Sequence, residues 1–117
     1  MTRRADGELE TDVLRALWQL DRPASPAEVI EEMQTELAYT SIATILMRLC
    51  DKGLATRTRS GRAYLYAAAS SEADLTARRI RSLLDSTSDR TSALAGFAHS
   101  LDPADAAQLA ALLKGSS

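Results

Sequence analysis

A mainly α fold with one small β-hairpin is what this sequence predicts, and three observations carry that prediction. Apolar residues recur at helical spacing in three successive runs between Gly7 and Lys52. Two short alternating segments then flank a Ser-Gly pair at residues 60–61, and from Ser71 onward the chain turns alanine-rich and helical in pattern. At 117 residues, 45% hydrophobic and 26% charged, the chain has room for one ordinary domain or for a module of about 60 to 70 residues with an appendage.

The first run, GELETDVLRALWQL, places Leu9, Val13, Leu14, Leu17 and Trp18 on one helical face with acidic residues in the opening turn. In the second, Ser25 is the expected N-cap, Pro26 the first helical position and Glu28 the third, the pattern of a capping box, and the helix buries Val29, Ile30 and Met33. In the third, Thr40 or Ser41 is the expected cap, Ile42, Ile45, Leu46 and Leu49 form the apolar stripe, and Gly53 is the stop. That stripe leaves Ala43, Thr44, Met47, Arg48 and Asp51 facing away from the core. Beyond Gly53, LATRTR and AYLYA read as two strands joined at Ser60-Gly61. Three short helices followed by a hairpin is the order of a winged helix-turn-helix. We expect this domain to span residues 1–69, with a third helix at 40–52 and a wing at 54–67.

Residues 70–117 read as a helical region. Ala73, Ala77, Ile80 and Leu84 form one seam with Leu83 beside it. STSD at 86–89 breaks the helix, Asp89 caps a fifth carrying Leu94, Phe97, Ala98 and Leu101, and Asp102-Pro103 starts a sixth with Ala106, Leu109, Ala110, Leu112 and Leu113 before Gly115. So small a segment, with one aromatic residue, hardly offsets by its own burial an ordering entropy of roughly 1 to 2 kcal/mol per residue. An apolar seam of this kind predicts a second copy of the chain, a homodimer clasped through these helices.

Composition narrows the function. There is one cysteine, Cys50, and one histidine, His99, so neither an intrachain disulfide nor an ordinary Cys/His metal site is expected. Cys50 reads as a small, partly buried hydrophobe and His99 as a surface or interface side chain. No Gly-rich phosphate loop, no GxSxG and no nucleophile constellation is present, so the expectation is a binding protein without cofactor rather than an enzyme. No apolar run approaches the roughly 18 to 20 residues of a membrane span, and MTRRADGELE lacks an export-type apolar region, which makes the cytoplasm the expected location.

The charge distribution names a partner class. Residues 39–66 carry five basic residues, Arg48, Lys52, Arg57, Arg59 and Arg62, against Asp51 alone, a net of +4 within a chain of formal charge −2. A solvated face is the ordinary reading of a charge run. This one falls on the open side of the third helix and on the adjoining hairpin, the two parts of a winged helix-turn-helix that meet DNA. The candidate base-reading face is Tyr39, Thr40, Ser41, Ala43, Thr44, Met47 and Arg48. Hydroxyls there bond phosphates or bases, and Ala43 or the Thr44 methyl suits a thymine methyl. Arg57, Arg59 and Arg62 are the candidate wing contacts to phosphate or minor groove, with Tyr64 counted among the DNA-binding residues beside them. Tyr64 and Tyr66 lie on one side of the strand and are expected to pack on the helices with their hydroxyls at the domain edge or on phosphate. Arg78, Arg79 and Arg81 read either as backbone-grazing groups or as a solvated face paired with Asp74 or Asp85.

At this point the residues resemble a known family. GELETDVLRALW, AYTSIATILMRLCDKGLATRTRSGRAYLYAA and SALAGFAHSLDPADAAQLAALL are similar, in that order, to segments of the penicillinase-repressor (BlaI/MecI/CopY) family of bacterial transcriptional repressors. The resemblance implies a dimeric repressor on palindromic double-stranded operators, often of β-lactam-resistance or copper-homeostasis genes. In the β-lactam branch it implies relief by a membrane-bound sensor protease that triggers cleavage in the dimerisation region, at the position of Gly96-Phe97 here. This chain has Gly where that branch typically has Asn, and the bland reading of Phe97 is a packed aromatic of the dimer core. The copper branch carries a Cys-x-Cys near its end, whereas AALLKGSS has no thiol, so Cu(I) ligation is not expected. Two alternatives stay open: a winged-helix repressor answering a small effector or stress, and a winged-helix module that docks an acidic protein.

Overall fold

The computed structural model describes residues 6–115. It runs α1 (Asp6–Leu20), α2 (Pro26–Met33), α3 (Tyr39–Asp51), β1 (Ala55–Ser60), β2 (Ala63–Ala68), α4 (Glu72–Ser86), α5 (Arg90–Ser100) and α6 (Pro103–Gly115). The fold is mainly α with a single antiparallel hairpin, and the order of α1 to β2 is that of a winged helix-turn-helix. The chain divides into two compact units after Leu75.

Local chemistry sets the helix ends in the first unit. The Ser25 hydroxyl accepts from the Glu28 N–H at 3.2 Å while Glu28 Oε1 accepts from the Ser25 N–H at 3.0 Å, so both halves of the expected capping box form. That backbone hydrogen bond and Arg22, 2.8 Å away, hold the Glu28 carboxyl below its ordinary range.

The start of α3 differs from the expected cap. The helix begins at Tyr39 with Ala38 as N-cap and no side-chain cap, because Ala38 is already extended at φ −67, ψ 151. Thr40 and Ser41 therefore lie inside the first turn, and α3 spans 39–51 rather than 40–52. Its end is as expected. Gly53, at φ 76, donates to the Cys50 carbonyl at 3.0 Å, and Leu54 donates to the Leu49 carbonyl at 2.9 Å, the paired closure that needs a left-handed residue.

The wing turns one residue later than Ser60-Gly61. Ser60 pairs with Ala63, so Gly61 and Arg62 are the two loop residues, and Gly61 takes the positive φ of 62 that a two-residue hairpin needs at its first central position. Ala24 adds a one-residue third strand, exchanging backbone hydrogen bonds of 2.9 and 2.7 Å with Tyr66.

The core is assembled from α1 (Val13, Leu14, Ala16, Leu17), α2 (Val29), α3 (Ile42, Ile45, Leu46, Leu49) and the wing (Ala55, Tyr66), with Ala24 and Leu75 closing it. Each fully buried leucine or valine contributes about 1.5 to 3 kcal/mol of transfer free energy. Trp18 lies beside this core and donates its indole N–H to the Ser70 carbonyl at 2.8 Å.

The second unit is built differently. Asp89 caps α5 by accepting from the Ser92 N–H at 3.1 Å, and Asp102 accepts from the Asp105 N–H at 2.9 Å at the start of α6. Arg90 and Asp85 pair at 2.7 Å across the break between α4 and α5. Among the described residues of α5 and α6 none is buried.

Candidate nucleic-acid interface

The face of α3 that its apolar stripe turns outward carries Tyr39, Thr40, Ser41, Thr44 and Arg48, all exposed, with Ala43 half-buried among them. The Thr44 hydroxyl donates to the Thr40 carbonyl at 2.8 Å, which leaves its methyl and its oxygen lone pairs as the groups available outward.

Met47 does not face away from the protein as its spacing suggested. It is half-buried against the core, because it lies on the flank of the stripe next to Leu46, where the wing comes over the helix. Its sulfur receives the Tyr66 hydroxyl at 3.7 Å and Arg57 Nη1 at 3.0 Å. A wing arginine and the third helix thus share a contact.

Strand register explains why. Arg57 stands opposite Tyr66 and Arg59 opposite Tyr64, so all four side chains project from one face of the hairpin, the face that also carries buried Ala55. The two tyrosines then part company. Tyr66 is 5% exposed and belongs to the core, whereas Tyr64 is 37% exposed and does not pack on the helices as expected. Being two residues further out along the strand, Tyr64 passes beyond the core and offers its ring to the arginines. The guanidinium carbon of Arg57 sits 4.4 Å from its centroid and that of Arg59 sits 6.0 Å away. Arg59 also donates from Nε to the Gly61 carbonyl at 3.2 Å, and Arg62 projects from the turn, exposed.

Lys52, counted above in the basic cluster, is turned elsewhere. Its ammonium lies 2.7 Å from Glu10 Oε1 and ties the end of α3 to α1. The open cationic groups of this surface are Arg48, Arg57, Arg59 and Arg62. Sequence reading missed the α1 tether because its partners stand 42 residues apart. It also missed the Met47–Arg57 contact, although the alternation of Arg57, Arg59, Tyr64 and Tyr66 was a usable signal for a common face.

Cys50 is half-buried, and burial pushes its thiol above the ordinary range. His99 is exposed, its Nδ1 2.7 Å from the Ala95 carbonyl. In the second unit Ile80, Leu83, Leu94, Phe97, Leu109, Leu112 and Leu113 are exposed, Leu83 at 72% and Leu113 at 71%, while Leu84 and Leu101 are half-buried. Gly96 and Phe97 lie inside α5, both exposed. Arg78, Arg79 and Arg81 are exposed as well. Asp85 pairs with Arg90 at 2.7 Å, and that hydrogen bond, more than Arg81, holds its carboxyl low. Among the described residues no helix is long and apolar enough to cross a membrane.

Three helices, a wing and a basic outer face define a winged-helix regulator of the DNA-binding class. The penicillinase repressor family matches residues 6–115, and the chain belongs to that family of transcriptional regulators. It is 32% identical over 108 residues to the transcriptional regulator BlaI of Mycobacterium tuberculosis, which spans 91% of this chain and 78% of that protein. Among solved structures it is similar to the monomeric form of Bacillus licheniformis BlaI in complex with the blaP half-operator. That likeness has 25% identity and a TM-score of 0.46, covering 63% of this chain and 88% of that one. An ArsR-like transcriptional regulator from Rhodococcus sp. RHA1 is 22% identical with a TM-score of 0.45, covering 85% and 100%.

Proposed function

We propose that two copies of this chain pair through residues 70–117 and that the pair represses transcription by holding a palindromic DNA operator, one winged domain (residues 1–69) to each half-site. The observation that carries this reading is the placement of Arg48, Arg57, Arg59 and Arg62 on the open side of α3 and the wing, while the chain as a whole is acidic. DNA presents about one negative charge per 1.7 Å of axis, so a local cationic surface outweighs a distant net charge. Tyr39, Thr40, Ser41, Ala43, Thr44 and Arg48 face the major groove in this arrangement. Small side chains let the helix approach, and the Thr44 methyl, with its hydroxyl proton engaged at Thr40, is suited to a thymine methyl. Two recognition helices about 34 Å apart would meet half-sites one turn apart.

Pairing is proposed to act as the switch. Ile80, Leu83, Leu84, Leu94, Phe97, Leu101, Leu109, Leu112 and Leu113 are the proposed clasp, supported by the exposure of all but the half-buried Leu84 and Leu101. Anything that separates the subunits removes the avidity gain of about 10² to 10⁴. A sensor-protease partner cutting at Gly96-Phe97 would do so, and the mid-helix glycine, worth about 1 kcal/mol less helix stability than alanine, makes opening of α5 there easier.

Fluorescence-anisotropy titration of the duplex upstream of the gene against a scrambled duplex, repeated across salt concentrations, tests the reading. Expected is a preference of about 10³ or more with a steep negative salt slope. Equal and weak binding to both duplexes would overturn it in favour of an acidic protein partner.

A further inference from the structure

Arg57 differs from the other arginines of the basic surface in what already surrounds it. Its Nη1 lies 3.0 Å from the Met47 sulfur on α3, and its guanidinium stands 4.4 Å from the centre of the Tyr64 ring on β2. The Met47 sulfur is at the same time approached by the hydroxyl of buried Tyr66. One planar cation is therefore held between a helix and a strand by a polarizable sulfur on one side and a π face on the other. Arg62 sits on the wing tip, and Arg59, 6.0 Å from the Tyr64 ring centre and donating to the Gly61 carbonyl, is held within the wing. What sets Arg57 apart is its contact with Met47 on α3, which joins the two parts of the surface that must address DNA in one geometry.

We propose that Arg57 is a positioning residue: stacked on Tyr64 and set against Met47, it fixes the angle between wing and recognition helix, and sequence discrimination depends on that angle. This rests on the DNA-binding reading above. Phosphate contact on the wing is then the work of Arg59 and Arg62, and Tyr64 acts through Arg57 rather than on DNA. Arginine is the suitable residue, because lysine lacks the plane that stacks on a ring.

The test uses the full chain and the same two duplexes. For each variant the salt slope and the ratio of specific to scrambled binding are measured, after circular dichroism confirms the fold. Arg59→Leu and Arg62→Leu are expected to flatten the slope by about one unit each. Arg57→Leu is expected to flatten the slope by less than either of these and to lower the ratio about tenfold, the scale of one lost base contact. Tyr64→Leu should do the same, and the double variant should be no worse than either single one. Arg57→Lys keeps the charge and should still lose discrimination. A slope that falls by about one unit on Arg57→Leu would make Arg57 a phosphate contact and overturn the proposal, as would full discrimination in Arg57→Lys. A wild-type chain without salt-dependent preference for its operator would remove the DNA reading itself, an outcome distinct from either.

Discussion

The helices of the two units carry their apolar residues differently: α1 to α3 gather them on one face, whereas α5 and α6 spread them around the helix. In α1 to α3 the apolar stripes converge, and Leu14, Leu17, Ile42, Leu46 and Leu49 are all within 2% of complete burial. In α5 and α6 Leu94, Phe97, Leu109, Leu112 and Leu113 stay exposed. The difference lies in what the helices have to pack on. The first unit brings a hairpin and a one-residue strand at Ala24 to close its core, whereas the second offers only helices joined by short breaks. Apolar residues on a helix thus state that burial is favoured without saying whether the chain itself can provide it.

The sharpest way to break that comparison is truncation after Ser86. If the exposed leucines are a clasp, light scattering should show a monomer and operator affinity should fall by about 10² to 10⁴. A truncated chain that stays paired would move the interface elsewhere.

Next in size is a matched pair of substitutions. Leu46→Ala, in the closed core, should cost about 2 to 5 kcal/mol by denaturant unfolding of the first unit. Leu113→Ala should leave that transition in place and shift only the concentration dependence of pairing. Equal effects on both would mean that the two units are not separate in energy.

A smaller effect is expected at the N-terminus of α2. Ser25→Ala removes half of the capping box and should cost about 1 kcal/mol at neutral pH, read as a lowered unfolding midpoint. The sign with pH follows from Glu28. Its folded pKa is lowered, so its contribution is present above the ordinary carboxylate range and is lost as the pH falls through the lowered value. The gap between wild type and Glu28→Gln, rather than Ser25→Ala, which keeps the backbone N–H that holds the carboxylate, should accordingly narrow in acid. A gap that widens would assign the stabilisation to something other than the ionised carboxylate.

Some of this was open to reading from the chain alone. Ser25, Pro26 and Glu28 announced a helix start, and Gly53 a helix end, since each works within four or five residues of itself. The outward face of α3 followed from its stripe. The start of α3 was misplaced by one residue because Thr40 and Ser41 are good caps, while the backbone at Ala38 had already set the entry. Met47, expected to face outward, and Tyr64, expected to pack on the helices, lie otherwise for a common reason: the spacing along one element says which side a residue is on, but not how far the neighbouring element extends.

The sequence by itself determined the start of α2, the Gly53 end of α3, the apolar stripes of the first three helices, the presence of the hairpin, and the concentration of arginines on one stretch of an acidic chain. Those depend on turns, caps and periods that act over a few residues. Only the tertiary structure decided that Lys52 is held by Glu10, that Ala24 pairs with Tyr66, that Leu75 belongs to the first core, and that Arg57 lies between Met47 and Tyr64. These are meetings of elements distant along the chain or carried on different elements, set by strand register and by the packing of the hairpin against α3. No local propensity encodes them, and they turn a count of positive charges into an oriented surface.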